Sequence, residues 1–102
     1  MKKLFISQPM RGKSEEEILE TRLEVIKMVE KLTKETFEII DSYITEASTT
    51  KTHLPLWYLG ESLKFLSDAD IAVFAPGWKE ARGCCIEHNC AEAYNIPILE
   101  LD

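Results

Sequence analysis

Ile71-Ala72-Val73-Phe74, closed by Ala75-Pro76-Gly77, is the stretch on which the fold turns. A continuous apolar run of this length, ended by a Pro-Gly pair, reads as a strand covered on both faces, as strands of parallel sheets are. Downstream, a helix is expected from about Arg82 to Tyr94, and then a further strand at Pro97-Ile98-Leu99. Upstream, Leu56, Leu59, Leu63 and Leu66 recur at helical spacing and predict a helix from about Leu56 to Ser67, with Pro55 suited to its first turn. Thr36 to Ile40 is rich in β-branched and aromatic residues and reads as a strand, while Asp41 to His53, with Ser48-Thr49-Thr50-Lys51-Thr52, reads as a surface loop able to act as a lid. At the start, Lys3 to Ser7 is a strand ended by Pro9 and Gly12. Ser14 with Glu17 three residues on forms a capping box that opens a helix from about Glu15 to Lys31, with Ile18, Leu19, Ile26, Val29 and Leu32 at its apolar positions and Arg22, Glu24 and Lys31 between them.

Strand and helix thus alternate throughout. Alternation of this kind predicts a three-layer α/β/α arrangement, Rossmann-like or flavodoxin-like, with a small parallel sheet of about four strands and right-handed crossovers. Ligands of such sheets bind beyond the carboxyl ends of the strands, so the loops 7–13, 41–54 and 75–82 should converge on one site.

The chain has 102 residues, 45% hydrophobic and 29% charged, which suits one globular domain over 1–102. Twelve Lys and Arg against eighteen Asp and Glu give a net charge of −6, which argues against nucleic acid and anionic membranes as partners. The apolar run after Lys2-Lys3 stops at Ser7-Gln8-Pro9, too soon for a secretory signal, and no stretch has the length of a membrane span, so a cytoplasmic location is expected. Cys84, Cys85 and Cys90 are odd in number and crowded together, and read as reduced thiols.

Glu87 falls in the first turns of the helix after Gly77, where the positive end of the helix dipole favours an ionised carboxylate. Gly83 four residues before it, and Ala91, Ala93 and Pro97 after it, resemble the Gly-x-x-x-Glu-x-x-x-Ala-x-Ala-x-x-x-Pro signature of the nucleoside 2-deoxyribosyltransferase superfamily. The loop Ala75-Pro76-Gly77-Trp78-Lys79-Glu80-Ala81-Arg82-Gly83 is similar to that of a small bacterial and phage family of unknown function usually grouped with those transferases. Phe5-Ile6-Ser7-Gln8-Pro9-Met10-Arg11-Gly12 resembles the first-strand loop that cradles sugar or phosphate in these proteins and in the deoxynucleotide N-hydrolases. The resemblance implies that Glu87 is the nucleophile and that Glu61, where the family usually has an Asp, contacts or protonates the base. It implies substrate-binding roles for Ser7, Met10, Arg11, Gly12, Arg82 and Gly83, a nucleoside or nucleotide as the small-molecule partner, and no metal or organic cofactor. Gln8 stands where a Gly is common, and Ala81 where a Ser or Asp is often found.

The chemistry is coherent with those residues. Breaking the N-glycosidic bond of a 2-deoxyribose passes through an oxocarbenium-like state that a carboxylate can capture, while the departing base is protonated by a second carboxyl group, Glu61 or Asp70. Asp70 also reads as the start of the third strand. Arg11, Lys13 and Ser7 can bind a phosphate at the start of the first helix, although Glu15, Glu16 and Glu17 already load that end with negative charge. An exposed Trp78 indole can stack on a base or pack against a neighbouring subunit, and Trp57 and Tyr58, at helical spacing with Glu61, border the site or fill the core.

Cys84-Cys85-x-x-His88-x-Cys90 places soft ligands close together, but on a helix they diverge and the usual zinc spacing is missing. Cys84 and Cys85 beside Arg82 at a helix start can instead have lowered pKa values and act as a thiol sensor. His53 lies in the loop before Pro55 and reads as a surface residue or a site neighbour. A catalytically inactive nucleotide-binding regulator is the competing reading of the same pocket. The small size and open sheet edges predict a homodimer or larger homo-oligomer, with the carboxy-terminal end or the 41–54 loop reaching a neighbouring site.

Overall fold

A computed structural model describes residues 1–44 and 50–101. Four strands, β1 (Lys3–Ser7), β2 (Glu38–Ile39), β3 (Ile71–Phe74) and β4 (Ile98–Glu100), form one all-parallel sheet in the order β2-β1-β3-β4. Among the described residues, three helices alternate with them: α1 (Glu15–Thr33), α2 (Leu54–Leu66) and α3 (Arg82–Ala93). A 3₁₀ turn, Trp78–Glu80, precedes α3.

Strand alternation divides the core in two. Leu4, Ile6 and Val73 face α1 and pack with Val25 and Val29. Phe5, Ala72 and Phe74 face the other way and pack with Leu66 of α2 and with Cys84 and Ala91 of α3. The sheet is therefore the middle of three layers, the Rossmann-like arrangement expected from the alternation. The central pair β1 and β3 is held in register from Leu4 against Ile71 to Ser7 against Phe74. Asp70 locks its start: its carboxylate accepts from the Lys3 amide at 2.7 Å, and its own amide donates to the Lys3 carbonyl at 2.9 Å.

The Ser14 capping box forms as expected, with the Glu17 amide donating to Ser14 Oγ and the Glu17 carboxylate reaching back to the Ser14 amide. The burial of α1 differs from its reading in two respects. Arg22, placed among the polar positions, is buried and donates to the Ile40 carbonyl at the end of β2. Leu19 and Leu32, placed among the apolar positions, are exposed. A single helix over this face of a narrow sheet leaves the flanks of its apolar stripe uncovered, while the long arginine stem crosses apolar surface to a backbone acceptor. The strand expected over 36–40 is paired only at Glu38–Ile39, because it lies at the sheet edge with a single neighbour. No described helix is long and apolar enough to cross a membrane.

Candidate active site

A cleft of about 1010 Å³ opens beyond the carboxyl ends of the strands, as the parallel topology dictates. Its walls come from the loop after β1 (Ser7 to Arg11), from Ser42 and Ile44 after β2, from Gly77 and Glu80 to Gly83 after β3, and from one face of α2. Of the expected lid segment, residues 45–49 lie outside the described residues, while Ser42 and Ile44 before them line the cleft.

Glu87 lies at the inner end of the cleft and is only 7% exposed. Both of its oxygens are held. Ser7 Oγ, at the end of β1, donates to Oε1 at 2.6 Å, and Ser62 Oγ, from α2, donates to Oε2. Burial pushes the carboxyl above the ordinary glutamate range, while the hydroxyls of Ser62 and Ser7 pull it part of the way back. A carboxylate poised in this way is weakly solvated and fixed in direction, which are the properties a nucleophile or an acid–base group requires. Removing either hydroxyl takes away an interaction with the ionised form, so Ser62→Ala and Ser7→Ala are each expected to move Glu87 further upward. If Glu87 acts ionised, the acidic limb of kcat/KM moves to higher pH in both variants, and a pH–rate profile reads that shift.

Ser7, Met10, Arg11, Arg82, Gly83 and Glu87 all line this one cleft. Gly12, with φ at 78°, lies just past the lining residues and turns the chain toward α1. Two expectations are not met. Glu61 does not line the cleft; its carboxylate pairs with Lys64 one turn on, at 2.9 Å, and the adjacent Ser62 occupies the cleft side of α2. Trp78 is not an exposed stacking platform. The 3₁₀ turn folds its indole back into the core, 7% exposed, 5.5 Å from Phe74 and stacked on His88 at 4.3 Å with the rings 7° from parallel. It packs inside its own chain, which also sets aside a subunit contact for this residue.

The reading of Cys84 as a reactive thiol is corrected as well. Burial pushes the Cys84 thiol up to about 11, with the Glu87 charge adding to the rise, so the helix start does not produce a reactive thiolate there. Cys85 points away from the cleft and donates to the Trp78 and Lys79 carbonyls. His88 turns between Glu92 and Glu100, at 3.2 Å and 2.7 Å. Cys84, Cys85 and His88 therefore share no common centre.

Two cleft residues, Ser62 and Glu80, have no place in the reading of the sequence, where Gln8 stands only as a departure from the resembled loop. Ser62 falls on the same helical stripe as Leu59 and Leu66, three and four residues away, which is the inward face of α2. Glu80 brings a second carboxyl group to the rim. Gln8 is 4% exposed and donates through Nε2 to the Ile18 carbonyl at 2.9 Å, while its Oε1 has no partner among the described residues. Comparison with protein-family models, with curated proteins and with solved structures found no match to this chain.

Proposed function

We propose that the protein cleaves or transfers the N-glycosidic bond of 2′-deoxynucleosides or their 5′-monophosphates, with Glu87 as nucleophile. The observation that carries the reading is the buried Glu87 carboxylate, oriented by Ser7 and Ser62 at the inner end of a cleft large enough for a nucleotide. One Glu87 oxygen attacks C1′ as the bond from C1′ to the base nitrogen breaks, and the electron pair of that bond leaves with the base. The base takes up a proton as it departs. Glu80, on the rim of the same cleft, is the carboxyl group placed to give it, in place of Glu61. Water or a second base then attacks C1′ and frees Glu87, giving hydrolysis or exchange.

Arg11 and Arg82 favour the monophosphate over the nucleoside. Both are exposed on the cleft wall, and neither forms an ion pair with another described residue, in a protein whose overall charge is −6. Charge-assisted hydrogen bonds to a phosphate are worth about 1.5–3 kcal/mol each. Arg11→Ala and Arg82→Ala are accordingly expected to raise KM for monophosphates about 10-fold to 100-fold while leaving nucleoside turnover nearly unchanged, as steady-state kinetics on matched pairs would read.

The reading is tested by chromatography of the four deoxynucleosides and their monophosphates after incubation with the protein, with and without a second free base, beside Glu87→Ala. Base release or exchange that is absent in the variant supports it. One observation favours a second reading, a nucleotide-binding regulator without turnover: α2 presents a serine rather than a carboxyl group to the cleft. Monophosphates that bind without losing their base would place the protein there.

A further inference from the structure

Ser7 and Ser62 hold the two oxygens of Glu87, but the Ser7 hydroxyl has a further neighbour that the proposed reaction does not use. Its single proton goes to Glu87 Oε1 at 2.6 Å, which leaves its own lone pairs open to another donor. Cys84 is that neighbour. It stands three residues before Glu87 on α3, so the two lie on one side of the helix, and both line the cleft. Ser7 and Cys84 are 1% and 3% exposed and hydrogen-bond to each other. The backbone of Ser7 is fixed by the sheet, its carbonyl accepting from the Ala75 amide at 2.8 Å, so the freedom left to the residue is in its side chain. Cys85 turns away to the carbonyls of Trp78 and Lys79, and the two adjacent thiols are thus tied to different parts of the fold.

The direction of that hydrogen bond follows from which group holds a proton. Burial pushes the Cys84 thiol up to about 11, so at neutral pH it keeps its proton and is a donor. A neutral sulfur is a weak acceptor, whereas an ionised carboxylate is a strong one, so the Ser7 proton belongs to Glu87 and the thiol proton is left for Ser7. We propose that Cys84 is a positioning residue for Glu87: its S–H donates to Ser7 Oγ and fixes the Ser7 hydroxyl as a donor to the carboxylate. Hydrogen bonds in a chain polarise one another, so the thiol strengthens the bond that Ser7 makes to ionised Glu87. Without the thiol, the Ser7 hydroxyl is free to turn. The inference concerns what orients the carboxylate and does not depend on the proposed reaction.

A ¹³C NMR titration of the Glu87 carboxyl tests it, in protein carrying ¹³C-labelled glutamate, with the signal assigned by its loss in Glu87→Gln. Cys84→Ala is expected to move the midpoint upward by about 0.1–0.7 pH unit, the equivalent of about 10–30% of one charge-assisted hydrogen bond. Cys84→Ser keeps a donor and is expected to leave the midpoint at or below the wild-type value. Ser7→Ala is expected to raise it further, and Cys84→Ala added to Ser7→Ala to change nothing more, because the thiol acts through Ser7. The other titratable groups that line the cleft, Arg11, Tyr58, Glu80 and Arg82, are the same in every variant, so their influence cancels in the comparison. Circular dichroism of each variant reports that it is folded. A midpoint that is unmoved or lower in Cys84→Ala overturns the proposal, as does one raised as far by Cys84→Ser. So does an equal shift with and without the Ser7 hydroxyl, which would mean that Cys84 acts by burial alone. The titration needs no turnover, so a failure of the proposed reaction leaves its result standing.

Discussion

Glu87→Gln is expected to abolish turnover and at the same time to make the protein more stable at neutral pH. The first effect follows from losing the attacking oxygen, and removal of a nucleophile lowers kcat by about 10³-fold or more where the rest of a site remains. The second follows from the raised carboxyl. In the unfolded chain the group ionises in the ordinary glutamate range, whereas in the folded chain burial holds it above that range. As pH rises from the ordinary value through the raised one, the folded protein must ionise a group that its surroundings favour in the neutral form, and stability falls across that window. Glutamine carries no charge, so the penalty disappears. Wild type and variant should therefore have similar stability below the ordinary glutamate range and diverge above it, the variant being the more stable. The gain is reduced because Ser7 and Ser62 now face one amide oxygen and one amide nitrogen, so one hydroxyl must turn to accept. Thermal melts between acidic and neutral pH read both the sign and the window. A variant less stable than wild type at neutral pH would mean that the hydrogen bonds outweigh the burial.

The second large effect is at Trp78. Its indole fills the space between Phe74 and His88, with the Lys79 ammonium 5.7 Å from the ring centre. Trp78→Ala is expected to cost about 3–5 kcal/mol, the range for truncating a buried large aromatic, and that is a large part of the whole stability of a small domain. Trp78→Phe keeps an aromatic ring in the same space and removes an indole N–H that is buried without a partner among the described residues, so it is expected to lose much less. Chemical denaturation distinguishes this from a base-stacking role, in which Trp78→Ala would leave stability near wild type and raise KM instead.

The fold was legible because its determinants are local. Ile71 to Phe74 is apolar without a break because both faces of β3 are covered, and Ser14 with Glu17 marks the start of α1 to the residue. The inner end of the site was legible in part, since Glu87 and Ser7 lie at element ends that a parallel sheet must bring together. What could not be read depended on tertiary rotation. Adjacent residues of a helix differ by about 100° in direction, so the difference between Glu61 and Ser62 is decided by which face of α2 meets α3, and spacing to Glu87 carries no information on that. The stripe through Leu59, Ser62 and Leu66 held the answer, but a helix apolar on nearly all sides obscures which stripe is inward. Trp78 misled for a similar reason. Pro76-Gly77 announces a loop, and only the left-handed backbone at Gly77, with φ at 86°, reveals that the chain turns straight back onto the sheet. Cys84 shows opposing influences on one group, burial raising its thiol and a hydrogen bond with Ser7 lowering it, with burial the larger.

The central claim is that Glu87 forms a covalent bond to the sugar, and intact-protein mass spectrometry with peptide mapping addresses it most directly. The protein would be incubated with a deoxynucleoside monophosphate whose sugar carries a 2′-fluorine, which withdraws electrons and slows breakdown of the ester. The account predicts one added sugar phosphate per chain, mapped to the peptide containing Glu87 and absent in Glu87→Gln. Release of base with no mass added at Glu87, and with turnover retained in Glu87→Gln, would contradict it.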